Sequence, residues 1–205
     1  MNESELKGNL CKKIKSELEK KYPGKYDVNY DDNLIYRVIV NITKNGSNSN
    51  VKLKYEPDDP QKPARGDYAF QTDILIKEKS SGLPLVVIEV KTKELTTHDI
   101  LTYSTKAVKH KEVYPYLRYG IVIFGNTTVP RRFFIHNLGF DFAIALKGLN
   151  DEPSFKKLLE IIEKQIKNSE KLLEIFNGEK SSIESYYTSL KIEFRKKLSL
   201  LKILT

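Results

Sequence analysis

The sequence predicts an α/β domain in which helices flank a mixed central sheet, with a C-terminal helical hairpin appended. Three observations carry this. Residues 71–91 (QTDILIKEKSSGLPLVVIEVK) read as two apolar strands joined by a Ser-Ser-Gly turn. Residues 119–125 (YGIVIFG) form a short, wholly apolar run of the kind found in buried parallel sheet. Helical periodicity fills 3–21, 97–113 and the stretch after Pro153. At 205 residues the chain suits a core over 1–150 and a helical extension over 151–205, for packing or dimerisation.

In chain order, Leu6, Leu10, Ile14 and Leu18 make the stripe of a first helix, with Asn2 or Ser4 as cap and Pro23-Gly24 as stop. Alternation over 34–43 (LIYRVIVNIT) and 51–56 (VKLKYE), across an Asn/Ser/Gly turn, predicts a hairpin. Residues 57–66 are a Pro-rich loop. Thr97 is the expected cap of the helix that follows the 71–91 hairpin, with Ile100, Leu101, Ser104, Ala107 and Val108 along one side. Residues 131–135 and 142–146 read as further strands. Ser154 is the expected cap of a helix with Phe155, Leu158, Leu159, Ile162 and Ile166 on one stripe. Asn177-Gly178 ends it, and 183–204 reads as the second helix of the pair.

Composition narrows the chemistry. Lys and Arg number 35 against 27 Asp and Glu, a net charge of +8 that favours a polyanionic partner. Cys11 is the only cysteine, so an internal disulfide and a thiolate zinc site are both excluded; its plain reading is a small, semi-buried apolar residue. His98, His110 and His136 are too dispersed to suggest a zinc set. No charged n-region with an apolar h-region opens the chain, and no run of about 18 apolar residues occurs. The expected location is the cytoplasm, with no membrane partner.

The 71–91 hairpin holds the chemistry. If its turn is symmetric about Ser81, facing residue numbers sum to 162. Lys77 then faces Leu85, Leu75 faces Val87, and Asp73 faces Glu89, about 4.5–5.5 Å apart. Lys91 emerges on the Glu89 face, because strand side chains alternate with period two. Unpaired charges on so apolar a hairpin are costly, and a divalent cation between the acids would justify them. Mg²⁺ prefers hard oxygen ligands and keeps several waters, so Asp73, Glu89 and the backbone carbonyl of Val90 suffice as protein ligands, with Mn²⁺ able to substitute. The same residues also admit a plain ion pair at a sheet edge. Asp67 is a rival for the first acid, although Arg65-Gly66-Asp67 reads as a turn.

Asp73 followed by Glu89-Val90-Lys91 resembles the PD-(D/E)XK nuclease pattern of restriction, resolvase and repair enzymes. The wording GLPLVVIEVK is similar to the N-terminal nuclease domain of type I restriction motor subunits. The resemblance covers about residues 66–125. It implies a restriction-endonuclease-like αβββαβ core with its site at one end of the sheet. It further implies Mg²⁺-dependent hydrolysis of DNA phosphodiesters, in restriction or defence. Asp73 and Glu89 would bind the metal, Lys91 would serve the attacking water, and Glu5 on the first helix would assist. Thr72 stands where the motif has proline. Asp99 precedes Tyr103 where type I domains carry Gln-xxx-Tyr. No P-loop pattern is present, so a motor or methyltransferase would be a separate partner.

Lys93, Tyr103, Lys106, Arg131 and Arg132 are candidate DNA contacts, with a solvated surface as the plain reading of the lysines and arginines. Lys109 and Lys111 share that reading. Double-strand cleavage needs two sites or two events, so a homodimer through the C-terminal helices is expected. Two other functions fit the pattern: a repair or recombination nuclease directed at junctions or damage, and a non-catalytic nucleic-acid-binding or assembly module of the same fold.

Overall fold

In the computed structural model the residues described are 3–44, 51–64, 66, 68–92, 94–179 and 182–194, without the side chains of 43, 44, 51 and 52. Helix α1 (Glu3–Lys21) buries Leu6, Leu10, Cys11, Ile14 and Leu18, the predicted stripe. Gly24, at φ 69°, turns the chain out of it. Strand β1 (Tyr26–Tyr30) follows, unforeseen in the sequence because its two buried side chains, Tyr26 and Val28, alternate with polar ones over only five residues.

The single strand expected over 34–43 is two. Strand β2 (Asn33–Ile35) pairs with β5 (Ala69–Gln71), and β3 (Ile39–Lys44) pairs with β4 (Val51–Glu56) in a separate ribbon. The break comes where the Tyr36 amide donates to the Tyr68 carbonyl and the Tyr36 ring stacks on Phe70. Alternation is blind to such a change of partner, since it records faces and not neighbours.

The central hairpin is β6 (Ile74–Glu78) with β7 (Pro84–Lys91). Ile74, Leu75 and Ile76 face Ile88, Val87 and Val86, as expected, but Lys77 faces Pro84 instead of Leu85. A register shift between Ile76 and Lys77 absorbs the difference. Helix α2 (Thr97–Val113) then crosses to β8 (Arg118–Phe124), which lies parallel to β7. Its cap is Thr96 rather than Thr97, in a reciprocal box with Asp99.

Residues 131–136 form helix α3 (Arg131–His136), not a strand. Pro130 precedes it as N-cap, and only Phe133 of its side chains is buried, so no alternating face exists to sit in a sheet. Strand β9 (Phe142–Leu146) completes a mixed five-stranded sheet in the order β1-β6-β7-β8-β9. The first three strands are antiparallel and the last three parallel.

Helix α4 (Glu152–Phe176) starts at Asp151, one turn ahead of the expected Ser154 cap. Pro153 in its first turn lacks only an amide hydrogen that would be unpaired there anyway. Phe155, Leu158, Ile162 and Ile166 join α1 and one face of the sheet in a single core. The other face carries α2, α3 and a second cluster built on Leu75, Val87, Tyr119 and Ile121. The predicted second C-terminal helix is absent over 182–194, which has no regular structure and leaves Tyr186, Tyr187, Leu190 and Phe194 exposed. Apolar periodicity without a surface to bury it does not hold a helix. Residues 195–204 lie outside the described set, and no helical hairpin forms among the described residues to serve as a dimer surface. No helix among them is long and apolar enough to cross a membrane.

Candidate active site

Pairing of β6 with β7 stops at Ile74–Ile88, and the strands part there. Thr72 turns away, its amide and hydroxyl both donating to the Asp32 carbonyl at 2.8 and 2.9 Å. That leaves the Val90 amide without a ladder partner, and Asp73 Oδ2 accepts its hydrogen at 2.7 Å. The Val90 carbonyl lies on the same edge, because an extended residue presents its N–H and C=O to one side. The fork in the hairpin thus gathers one carboxylate and one carbonyl.

Glu89 projects onto the α2 face of the sheet, in line with Leu75, Val87 and Tyr119, and is 1% exposed. Oε1 accepts from Tyr119 Oη at 2.5 Å and from Lys106 Nζ at 2.9 Å. Burial, opposed by the Lys106 charge and reinforced by Asp73, raises the carboxyl above its ordinary range. The Tyr119 phenol is pushed well above its own by burial and then by Glu89.

Helix α2 lends one face. Asp99, Tyr103 and Lys106, spaced i, i+4, i+7, line up along it. Lys106 Nζ bridges Glu89 and the Gln71 carbonyl (3.0 Å), with the rings of Tyr103 and Phe70 beside it. Asp99 holds Lys91 Nζ at 2.8 Å. Partial burial opposes ionisation of Asp99, but hydrogen bonds from Lys91 and Thr96 win and bring it down to about 2. Tyr103 is pushed up to about 12, by burial first and then by Glu89, Asp73, Asp99 and Glu3 around it. One turn beyond Lys106, His110 stacks on Tyr119 and faces the Leu34 carbonyl through Nε2 at 3.0 Å.

Helix α1 supplies Lys7, whose Nζ meets Asp73 Oδ1 at 3.0 Å and Asp31 Oδ1 at 3.2 Å. Glu3, one turn earlier, accepts from the Thr92 hydroxyl at 2.7 Å. Glu5 is exposed and lines a shallow depression with Ser4, Gly8, Asn9, Lys12 and Tyr30. Positions two apart on a helix do not share a face, so Glu5 points away from the side that carries Glu3 and Lys7. Lys7 is the first-helix residue that meets Asp73, and Glu5 lies on another side of the helix.

The remaining candidates divide. Lys91 is tied to Asp99 and not to the two acids. Lys106 is the counter-ion of Glu89 rather than a solvated surface lysine. Arg132 pairs with Glu94 at 3.0 Å, and Arg131 is exposed beside it on α3. Lys109 pairs with Glu112, and Lys111 with Asp141. Lys93 and Asp67 lie outside the described residues. Sequence reasoning missed Lys7 and Tyr119. Lys7 carried no signal among so many lysines; Tyr119, in an otherwise apolar strand, did, because a buried phenol needs a partner.

Asp73, Glu89 and the Val90 carbonyl offer hard oxygen donors of the kind Mg²⁺ takes, and water would have to complete the shell. Among the described residues no group of three or more His, Cys, Asp or Glu side chains is arranged to hold a metal. Any such ion would rest on the two carboxylates, which meet Lys7 and Lys106. No family model, no curated protein and no solved structure matches this chain.

Proposed function

We propose that the protein is a Mg²⁺-dependent DNA endonuclease of restriction or defence, acting in the cytoplasm through a restriction-endonuclease-like core. One observation carries the reading: the Asp73 carboxylate caps the fork of the hairpin, close enough to the buried Glu89 carboxyl to help raise it, with the Lys91 ammonium two residues beyond Glu89. The chain order supports it, running helix, three antiparallel strands, helix, then a parallel strand, with β2–β5 inserted after the first strand.

A divalent cation on Asp73, Glu89 and the Val90 carbonyl would neutralise charge on the scissile phosphate, part of the roughly 20 kcal/mol that phosphodiester hydrolysis demands. The protein's own groups do the positioning. Tyr119 holds the Glu89 carboxylate, Val90 holds Asp73, and Asp99 holds the Lys91 ammonium, which would be released to a water or a phosphate oxygen.

A non-catalytic nucleic-acid-binding module is the second reading. The ion pairs of Lys7 and Lys106 favour it, since they compensate both acids without any metal. Incubating supercoiled plasmid with the purified protein in Mg²⁺, Mn²⁺ or EDTA, beside Lys91→Ala, separates the two. Discrete, metal-dependent fragments lost in the variant support the nuclease; duplex binding without cutting in any condition supports the module. Nicking or a smear, with junctions preferred, would move the enzyme to repair.

A further inference from the structure

We propose that Lys7 and Lys106 are exchangeable counter-ions: when Asp73 and Glu89 take a divalent cation, both ammonium groups leave those carboxylates and bind the substrate phosphates. The inference rests on the nuclease reading and assigns a role to two lysines that the ligand set does not include.

The geometry carries it. Each lysine meets one of the two site acids, Lys7 at 3.0 Å from Asp73 and Lys106 at 2.9 Å from Glu89, and the two arrive from different helices. A dication on the same carboxylates would face two positive charges within hydrogen-bonding distance of its ligands, in a site where Glu89 is buried and screening is weak. The lysines must then give way, and their flexible stems permit it.

Each also has an anchor that the exchange leaves in place. Lys7 keeps Asp31 at 3.2 Å, and Lys106 keeps the Gln71 carbonyl at 3.0 Å with the Tyr103 and Phe70 rings beside it. Neither ammonium swings off into solvent; both stay at the mouth of the fork, where a phosphodiester must lie. Ammonium groups held in this way suit phosphate oxygens. Metal and nucleic acid would therefore bind cooperatively through this exchange, with Lys7 and Lys106 as phosphate-binding residues.

The test is an electron paramagnetic resonance titration with Mn²⁺, without nucleic acid, of the wild type, Lys7→Met, Lys106→Met and Asp73→Asn. Mn²⁺ should bind about tenfold or more tightly to each methionine variant than to the wild type, and be lost in Asp73→Asn. Asp73-dependent binding that is unchanged or weakened in both methionine variants would overturn the exchange while leaving the metal site standing. No Asp73-dependent binding in any form would overturn both. Should Lys106→Met fail to fold, Lys7→Met alone decides, because the Asp73 carboxylate it uncovers is partly exposed and keeps the Val90 amide, whereas Glu89 is buried. Duplex binding in a Lys91→Ala background gives a second readout. Adding Mn²⁺ should steepen the salt dependence by about two phosphate contacts, and by about one in each methionine variant. An equal slope in all three would contradict the proposal.

Discussion

Asp73 accepts the Val90 amide hydrogen at 2.7 Å, at the point where β6 parts from β7. A side chain there does what the next ladder carbonyl would have done. The same carboxylate that stabilises the fork presents its other oxygen to Lys7 and the site. The fork and the ion pair share one residue, and two substitutions separate its backbone role from its charge.

Asp73→Asn keeps an acceptor for the Val90 amide, whereas Asp73→Ala leaves that amide unsatisfied. The alanine variant should lose about 1–3 kcal/mol more than the asparagine variant in urea unfolding, while both lose metal-dependent cleavage. Equal stabilities would show that the Val90 bond contributes nothing.

Tyr119→Phe removes one of the two hydrogen bonds on Glu89 in a buried setting. A bond to a charged group is worth about 1.5–3 kcal/mol, so thermal denaturation should show a loss of that order. Cleavage should fall with it, because the Glu89 rotamer is then held by Lys106 alone. Full activity with full stability would remove Tyr119 from the site.

Gly120 sits in β8 against the ring of Phe142 in β9, and a Cβ built there would overlap that ring. Gly120→Ala should cost about 1–3 kcal/mol, since a rigid aromatic cannot bend aside. Phe142→Leu in the same chain should recover part of the loss, a coupling that a denaturant double-mutant cycle would read. Simple additivity would place the strain elsewhere.

Burial pulls His110 from its ordinary 6.5 to about 4, against a smaller opposing pull from the Leu34 carbonyl. The unfolded chain therefore binds more protons between those values. Stability from this group is complete above pH 6.5 and is lost as pH falls toward 4, by about 3 kcal/mol in all. His110→Phe should flatten that part of the melting-temperature profile between pH 4 and 7; an unchanged slope would assign the loss to other groups.

The sequence makes the hairpin and its acids legible for a physical reason. Strand alternation with a centred turn gives both pairing and face, so Leu75 opposite Val87 and Ile74 opposite Ile88 follow from arithmetic alone, whereas the pairing ends before Asp73 and Glu89. The bulge at Leu85, opposite the step from Ile76 to Lys77, escapes that arithmetic, because one extra residue near the turn leaves no mark on the alternation. Helix stripes were equally plain in α1 and α4, whose apolar faces bury as spaced. The segment after Gly178 shows the converse: Tyr186, Leu190 and Phe194 recur at helical spacing, yet they are exposed in irregular chain. Lys7 illustrates the remaining gap. Its place over Asp73 depends on how α1 crosses the sheet, which no local pattern encodes.

The most direct test of the nuclease reading is cleavage of an end-labelled duplex by the wild type, Asp73→Asn and Glu89→Gln, each folded by circular dichroism, in Mg²⁺ and in EDTA. A nuclease centred on the fork cuts as the wild type in Mg²⁺ alone, and not as either variant. Cutting that survives EDTA or both substitutions would place the chemistry away from the fork, and a wild type that binds the duplex without cutting it would leave a binding module in its place.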